Sequence, residues 1–440
     1  MNPYICFIQI SEMAYDDAFM IERFVQQLPP DYQVVAFTNG MSSAFVASRP
    51  ERIVGVLTEN QENNLERFRG LLQKTPLEAV IVLDLHQYFL KPEELNFLPV
   101  WLTEAKAPIF ALDYFNLLET AEDRVILKPD VNPNRFEAGE EPLPLDFPIT
   151  LLKPIPPILP EDLKANPALQ PWNPIDYSLR SAQHELREQV RQSFSLKPDT
   201  RLITVIFDPT LLWMAMEQSL LGFFFASIEV LVFYLRQFQD QHFQILVVGS
   251  MAPGEVNPIP DLNVEIQYFT HLTEDNYRAF MAASDLIIAN NNWSLATLDA
   301  MTLGTPLCVL GNSVIQDWKD ETESEKTLTS FFKPHPVLYE LAQLMIKMNE
   351  WTLGLPIFQY INYPLRYKDP DFPQPGLQKH AFPYYLLDMF DDESTQPILQ
   401  KLLFSESFRQ GYAAFCADLL KVSEQAESLK TILEKHRSEA

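Results

Sequence analysis

Residues 283–310, ASDLIIANNNWSLATLDAMTLGTPLCVL, predict a strand, a helix and a second strand in direct succession. The apolar runs Leu286–Ala289 and Leu307–Leu310 have the length and composition of strands that are buried on both faces. The helix between them begins at Ser294, a residue type common at helix N-caps, and ends at residues 304–306, where a C-cap glycine precedes a proline. This order of elements is typical of a βαβ unit in a parallel sheet.

The alternation of strand and helix continues on both sides of this unit. Its repetition predicts an α/β fold with two Rossmann-like, doubly wound parallel sheets. The predicted strands are Tyr4–Ile10, Gln33–Phe37, Arg52–Leu57, Ala79–Leu83, Ile109–Leu112, Arg201–Ile206, Phe243–Val248 and Val264–Tyr268. The predicted helices are Asp16–Leu28, Glu62–Leu72, Pro92–Ala105, Met216–Phe238 and Glu274–Ala283, with a last long helix at Glu406–Lys435.

Prolines divide the chain into two halves. They are dense between Lys128 and Pro174, where they exclude long helices and central strands, although Ile149–Leu152 still fits one edge strand. We therefore predict a connector there, between two domains. The predicted segments are an N-terminal Rossmann-like domain at 1–128, a proline-rich connector at 129–177, a C-terminal Rossmann-like domain at 178–398 and a tail of closing helices at 399–440.

The charge of the chain excludes several kinds of partner. With 59 acidic against 33 basic residues, the net charge is −26, whereas nucleic acids and anionic membrane surfaces both require a basic face. The N-terminus enters a strand without a basic leader, and the longest apolar stretch, Leu220–Tyr234, contains Ser227 and Glu229. We expect a cytoplasmic, acidic protein without an integral membrane segment. Its three widely spaced cysteines, Cys6, Cys308 and Cys416, are predicted to be buried free thiols.

The turn between the strand and the helix of the opening stretch is a candidate anion site. Residues 290–294 follow the carboxyl end of a predicted parallel strand, where free backbone N–H groups and the helix dipole attract negative charge. Asp299 lies near the same end, where a carboxylate can accept hydrogen bonds from ribose hydroxyls. An ordinary βαβ unit, in which the asparagines and Ser294 only cap the helix, explains the same residues.

The stretch from Tyr268 to Gly311 resembles the C-terminal domain of GT-B glycosyltransferases, particularly the family that transfers N-acetylglucosamine in peptidoglycan synthesis, and its relatives. In that family an acidic residue five positions before the glycine of a Gly-x-Pro turn binds the ribose, as Asp299 precedes Gly304. The resemblance covers about residues 200–435 and implies two domains that face a cleft. It implies base contacts by Phe269, with His271 facing the nucleotide, and diphosphate contacts by Asn291, Asn292 and Ser294.

Two turns depart from the family pattern. Trp293 stands where the family has glycine, and the turn after the first strand of this domain, residues 207–210, contains Asp208 instead of a glycine- or serine-rich sequence. Glycine allows a diphosphate to approach the backbone closely, and an aspartate repels it. A second interpretation therefore stays open, in which the chain is a non-catalytic GT-B-like binding or scaffold protein.

The transferase interpretation needs a general base for the acceptor. The candidates at the carboxyl ends of the N-terminal strands are Asp16, Asp17, Asp84 and His86, although the two adjacent aspartates also fit an N-cap and the other two also fit a solvated loop. We expect transfer of a sugar from a nucleotide-diphosphate donor to a soluble acceptor, a small molecule or a protein. No metal or other cofactor is expected.

Overall fold

The structure is a computed structural model, which describes residues 4–10, 15–38, 52–58, 61–73, 77–90, 95–114, 117–121, 124–127, 145, 147–155, 168–207, 221–249, 263–270, 272–289, 294–311, 384–388 and 392–439. These residues form two compact units. The first comprises the described residues up to Ile175 together with those from Leu419 onward, and the second runs from Asp176 to Asp418.

A parallel sheet forms the centre of the first unit. In the described residues it has seven strands in the order β3-β2-β1-β4-β5-β8-β9. Their bounds are β1 Tyr4–Ile8, β2 Gln33–Thr38, β3 Arg52–Val56, β4 Leu77–Val82, β5 Ile109–Leu112, β8 Ile149–Pro154 and β9 Leu169–Trp172. An antiparallel hairpin of β6 (Leu118–Ala121) and β7 (Arg124–Leu127) follows β5. The strand order reverses direction between β1 and β4, since β2 lies on one side of β1 and β4 on the other.

Helices and aromatic side chains cover this sheet. The helices of the first part of the chain are α1 Tyr15–Gln27, α2 Gln61–Leu72, α3 His86–Leu90 and α4 Phe97–Ala105. Trp101 of α4 is fully buried, stacks on Phe68 with ring centroids 4.5 Å apart, and meets the ring of Phe37 edge-on at 5.0 Å. Because stacked and edge-on aromatic pairs add to the burial of apolar area, this cluster ties α2 and α4 to β2.

The end of the chain packs into the first unit. A last helix, α11 (Leu429–Glu439), places Arg437 in an ion pair with Glu78 of β4 and the ring of His436 edge-on to Phe110 of β5 at 4.9 Å. The side chain of Gln27 accepts the backbone N–H of Leu429 at 2.9 Å. The first unit is therefore built from both ends of the sequence.

The second unit repeats the architecture with a regular strand order. The described residues form a six-stranded parallel sheet in the order β12-β11-β10-β13-β14-β15. Counted within this unit, the order is 3-2-1-4-5-6, the order typical of the Rossmann fold. The strands are β10 Arg201–Ile206, β11 Phe243–Val248, β12 Val264–Phe269, β13 Leu286–Ala289, β14 Leu307–Gly311 and β15 Tyr385–Asp388. The helices are α5 Tyr177–Ser193, α6 Leu221–Leu235, α7 Glu274–Ala283, α8 Leu295–Leu303, α9 Asp392–Phe404 and α10 Glu406–Ser423, whose last turns enter the first unit.

Two parallel, doubly wound sheets and a helical C-terminus confirm the predicted α/β class with two Rossmann-like units. The specific likeness of the C-terminal half to the peptidoglycan type stays a prediction. Ile149–Leu152 is not an edge strand, because β9 pairs on the outer side of β8. The predicted final helix is interrupted after Ser423 and resumes at Leu429, and residues 216–220 of another predicted helix lie outside the described residues.

The predicted burial of the cysteines is confirmed. Cys6, Cys308 and Cys416 are free and buried, and burial raises the pKa of all three thiols. Within the described ranges, we find no helix with the length and hydropathy needed to cross a bilayer.

Gly304 ends α8 in the conformation expected of a C-cap glycine. Its φ is +66°, and a Cβ built on it would lie 2.9 Å from the Cβ of Ala413 in α10. We predict that Gly304→Ala destabilises the protein by about 1–3 kcal/mol, because the left-handed backbone and the close approach both disfavour a side chain. The free energy of unfolding in urea measures this change.

Gly411 supplies the matched control, because it lies on the exposed side of α10 and a Cβ there would meet nothing within 4 Å. Gly411→Ala should stabilise the protein by about 0.5–1 kcal/mol through reduced backbone freedom of the unfolded chain. Equal effects of the two substitutions would contradict the proposed role of Gly304.

Candidate functional site

The strand order of the second unit determines where a ligand can bind. The chain leaves β10 toward β11 on one side, and β13 later pairs on its other side. In open parallel sheets, ligands bind outside the carboxyl ends of the strands at such a reversal. The site of the second unit is therefore expected beyond Ile206 and Ala289, the last residues of β10 and β13, where α8 begins.

Ser294 is the N-cap of α8, but its side chain does not cap the helix. Its backbone is extended, with φ −159° and ψ 175°, and its carbonyl accepts the N–H groups of Thr297 and Leu298 at 3.1 and 3.3 Å. Its hydroxyl makes no capping hydrogen bond. Ser294 thus occupies the N-cap position without a side-chain cap, and the alternative of an ordinary βαβ unit stays open, since residues 290–292 lie outside the described residues.

Two other helices of this unit contrast with α8. At the start of α7 the hydroxyl of Thr273 accepts the N–H of Asn276, and at the start of α5 the carboxylate of Asp176 accepts the N–H of Ser178. Side-chain caps satisfy N–H groups that a helix cannot satisfy itself. At the sheet edge where a ligand is expected, Ser294 gives α8 no such cap among the described residues, and the positive end of a helix attracts anions.

Asp299 lies in the second turn of α8. Every residue of this helix is buried, because α8 contacts α5 and α7 as well as β13 and β14, and Asp299 itself is only 1% exposed. Five residues separate it from Ser294, which corresponds to about 7–8 Å along the helix axis. The structure therefore places a buried carboxylate one and a half turns inside the N-terminal end of α8.

Phe269 ends β12 and is half-buried. Its ring meets that of Phe280 edge-on at 5.0 Å and that of Phe194 at 6.4 Å, and it packs beside a cluster that includes Val248 and Leu246. These contacts fix the ring against α5 and α7. The ring of Phe269 thus packs against the core of this unit, and the base contact implied by the family resemblance stays a prediction.

Several predicted site residues cannot be placed. His271, Asn291 and Asn292 lie outside the described residues, as do Asp208 and Trp293. The backbone of Asp16 and Asp17 lies in the first turn of α1, which follows β1 at the reversal point of the first sheet, but their side chains are not described.

Asp84 lies at the reversal point of the first sheet, just beyond the end of β4. Both of its carboxylate oxygens accept the N–H of Ile10, at 2.9 and 3.0 Å, and the residue is 1% exposed. Ile10 follows β1, so this hydrogen bond ties the carboxyl ends of two central strands together. Asp84 therefore has a clear structural role, and its catalytic role stays a prediction.

His86 begins α3 and is also buried. The side-chain amide of Gln87 donates to its Nε2 at 3.0 Å, a contact that requires this ring nitrogen to be unprotonated. Burial lowers the pKa of His86 to about 4, and the nearby Asp113 only partly opposes the shift. The imidazole is neutral at neutral pH and binds a proton weakly, which makes it a poor general base.

Lys153 is a residue of this region that the sequence analysis did not identify. It lies at the carboxyl end of β8, is 2% exposed, and forms an ion pair with Asp113, which follows β5. Asp113 also accepts the N–H groups of Leu117 and Leu118 at 2.8 and 3.0 Å, and Lys153 donates to the carbonyl of Leu118 at 2.8 Å. The pair holds the start of the β6–β7 hairpin at the sheet edge. In the sequence, the feature that could have indicated this ion pair was the single charged residue, a lysine, in the strand ITLLKP.

Residues 24–437 match the model of a family described as "Family of unknown function (DUF6365)". A comparison with curated protein sequences gives no match. Several solved structures resemble the chain. The calicheamicin glycosyltransferase CalG4 is 11% identical, with 96% of this chain and 95% of that chain covered and a TM-score of 0.48.

A putative UDP-N-acetylglucosamine 2-epimerase from Listeria monocytogenes is also 11% identical, with coverage of 100% and 98% and a TM-score of 0.49. Anabaena HepE, solved in complex with UDP and glucose, is 12% identical, with coverage of 99% and 98% and a TM-score of 0.46. None of these identities is high enough to assign the role of a residue in this chain.

The lowered pKa of His86 makes stability depend on pH. Its pKa is about 4 in the folded protein, compared with 6.5 for an unperturbed histidine such as that of the unfolded chain. Below pH 6.5 the unfolded chain therefore binds a proton more tightly than the folded protein does. We predict that this residue alone lowers the free energy of unfolding by about 2 kcal/mol when the pH falls from about 7.5 to about 5. His86→Gln should remove that part of the pH dependence.

Urea unfolding of wild type and His86→Gln at several pH values measures the effect, because carboxylates contribute equally to both proteins. The difference between the two should change with pH by the stated amount. A difference that is constant over this range would show that the imidazole is not buried in its neutral form.

Proposed function

The chain belongs to the DUF6365 family, a family of unknown function, and we propose that it is a glycosyltransferase that moves a sugar from a nucleotide-diphosphate donor to a soluble acceptor. The observation that carries the proposal is the start of α8. This helix begins at the reversal point of a sheet with the Rossmann strand order, its N-cap residue Ser294 makes no side-chain capping hydrogen bond, and Asp299 follows one and a half turns later. A diphosphate and a ribose require this pair of features, an anion site and a carboxylate.

On this proposal, the second unit binds the donor. The N–H groups of the first turn of α8, with Ser294, Asn291 and Asn292, contact the diphosphate. Asp299 accepts hydrogen bonds from the ribose hydroxyls, and Phe269 and His271 contact the base. The spacing of Asp299 before Gly304, which the sequence shares with the GT-B enzymes it resembles, supports the same assignment.

The reaction needs a base and a stabilised leaving group. A hydroxyl of the acceptor loses its proton and attacks the anomeric carbon, while the bond from that carbon to the diphosphate oxygen breaks. Negative charge then grows on the departing nucleoside diphosphate, and a helix N-terminus aimed at this charge stabilises the transition state without a metal ion. The anion site at α8 would thus serve both binding and catalysis.

Among the candidate bases, we favour Asp16 or Asp17. Asp84 already accepts the N–H of Ile10 with both oxygens, and His86 is a weak base with a pKa of about 4. Asp16 and Asp17 begin α1 after β1, at the reversal point of the first sheet. The acidic surface charge and the buried free thiols favour a cytoplasmic reaction with a soluble acceptor.

A non-catalytic binding or scaffold protein is the second candidate. The observation in its favour is that both candidate bases with described side chains, Asp84 and His86, are buried, and that Asp84 already accepts the N–H of Ile10. A protein of this class keeps the donor site and lacks turnover. Binding and turnover therefore have to be measured separately.

We predict that Asp299→Ala weakens the binding of a nucleotide sugar by about 1.5–3 kcal/mol, as expected for the loss of hydrogen bonds to a charged group. Asp299→Asn, which keeps one acceptor oxygen, should lose less. Calorimetric titration with uridine, thymidine and guanosine diphosphate sugars measures the affinities, and the melting temperature of each variant verifies that it is folded.

Thr302→Val is the matched control, because Thr302 lies on the same buried helix but donates to the carbonyl of Leu298 within it. It should bind the donor like the wild type. If no sugar nucleotide binds the folded wild type, the donor site itself is disproved. If a sugar nucleotide binds, and its sugar is transferred only by proteins that keep Asp16 and Asp17, the glycosyltransferase proposal is supported. Binding without any turnover supports the second candidate.

A further inference from the structure

A cluster of arginines lies at the amino-terminal edge of the second sheet, opposite the proposed donor site. Asp285, which immediately precedes β13, is fully buried at its centre. The guanidinium groups of Arg187, Arg409 and Arg201 lie 2.8, 3.3 and 3.6 Å from its Oδ1. The three arginines come from α5, α10 and the first position of β10. We call them, together with Asp285, the arginine cluster.

The hydrogen bonds of Asp285 show that this carboxylate is already well supplied with donors. Oδ1 accepts from Arg187 and Arg409, and Oδ2 accepts the backbone N–H of Leu202 at 3.0 Å. Burial acts to raise the pKa of Asp285, but Arg187, the N–H of Leu202 and Arg409 outweigh it and hold the pKa below its ordinary value. Asp285 is therefore ionised and contributes one negative charge.

Arg201 has donors that this carboxylate does not use. Its contact with Asp285 is an ion pair at 3.6 Å, too long for a hydrogen bond, and its Nε is buried without a hydrogen-bond partner in the described part of the chain. Its guanidinium lies over the ring of Phe404, 5.7 Å from the centroid. This contact with an aromatic face orients the group without using its N–H donors.

The charges of the cluster do not balance. Three guanidinium groups face one carboxylate, which leaves an excess of two positive charges within the cluster. Burying charge without a counter-charge is costly, yet the arginine side chains are only 22–31% exposed. The remaining exposure leaves part of each arginine side chain open to a ligand.

We propose that the arginine cluster binds a phosphate-class dianion. Two unbalanced positive charges match the charge of hydrogen phosphate or of a phosphomonoester near neutral pH, and guanidinium groups bind such oxyanions through paired N–H donors. The anion supplies further acceptors to Arg201, whose contact with Asp285 is too long for a hydrogen bond, and to Arg409 beside it. Asp285 then acts as a positioning residue that holds Arg187 and Arg409 in place.

This site is separate from the proposed donor site. Arg201 begins β10, whereas the donor site lies beyond Ile206 at the other end of the same strand, about 17 Å away. The anion joins α5, β10 and α10 across one edge of the sheet. Its binding therefore stabilises the second unit, since a ligand that binds only the folded state raises its stability.

Calorimetric titration of the full chain with inorganic phosphate tests the proposal. We expect one phosphate to bind, and the melting temperature to rise with phosphate but not with chloride at equal ionic strength. Arg201→Met and Arg409→Met should each weaken phosphate binding by roughly ten- to hundredfold. Glycerol phosphate in a parallel titration distinguishes the two sources: tighter binding than phosphate indicates a phosphorylated metabolite, and equal binding indicates the free ion.

Arg69→Met is the matched control, because it makes the same change of charge at an exposed arginine paired with Glu104 in the first unit. It should bind phosphate like the wild type. Failure of the folded wild type to bind phosphate overturns the proposal even if the arginine variants do not fold. Equal binding by wild type, Arg201→Met and Arg409→Met also overturns it, because the phosphate then lies elsewhere, including at α8.

Discussion

A parallel sheet with helices on both faces must direct all its strands the same way, and the rest of this structure follows from that constraint. The crossovers bring every strand's carboxyl end to one edge and every amino end to the other. In the second unit, the strand order reverses between β10 and β13, which opens the carboxyl edge to a ligand. The start of α8, which the side chain of Ser294 does not cap, lies at the carboxyl edge with the buried Asp299, while the arginine cluster lies at the amino edge.

Both units use buried charged groups to tie strand ends together. Asp84 joins the ends of β1 and β4, the Asp113–Lys153 pair joins the ends of β5 and β8, and Asp285 joins the starts of β10 and β13 through the N–H of Leu202. Removing one partner from such a contact leaves an uncompensated buried group, which is strongly destabilising. A polar residue at a strand end is thus as compatible with structure as with catalysis.

This distinction separates the two units. In the first, Asp84 holds the end of β1 through the N–H of Ile10, and His86 is buried with a lowered pKa. In the second, the hydroxyl of Ser294 is not used as a cap, whereas the caps of α5 and α7 are satisfied. Polar groups that the fold does not already use are the better indicators of ligand binding, and the hydroxyl of Ser294 is one such group at the start of α8.

The sequence by itself determined the two series of buried strands, the C-cap at Gly304 and the burial of the cysteines, because these depend on periodicity and on the conformational preferences of single residues. Only the tertiary structure decided which polar residues were already paired. Asp84 meets Ile10 across 74 positions of sequence, and Arg409 meets Asp285 across 124. It also placed β9 beside β8 and returned the last helix to the first unit. Contacts between distant segments form only when the chain folds, so no local pattern records them.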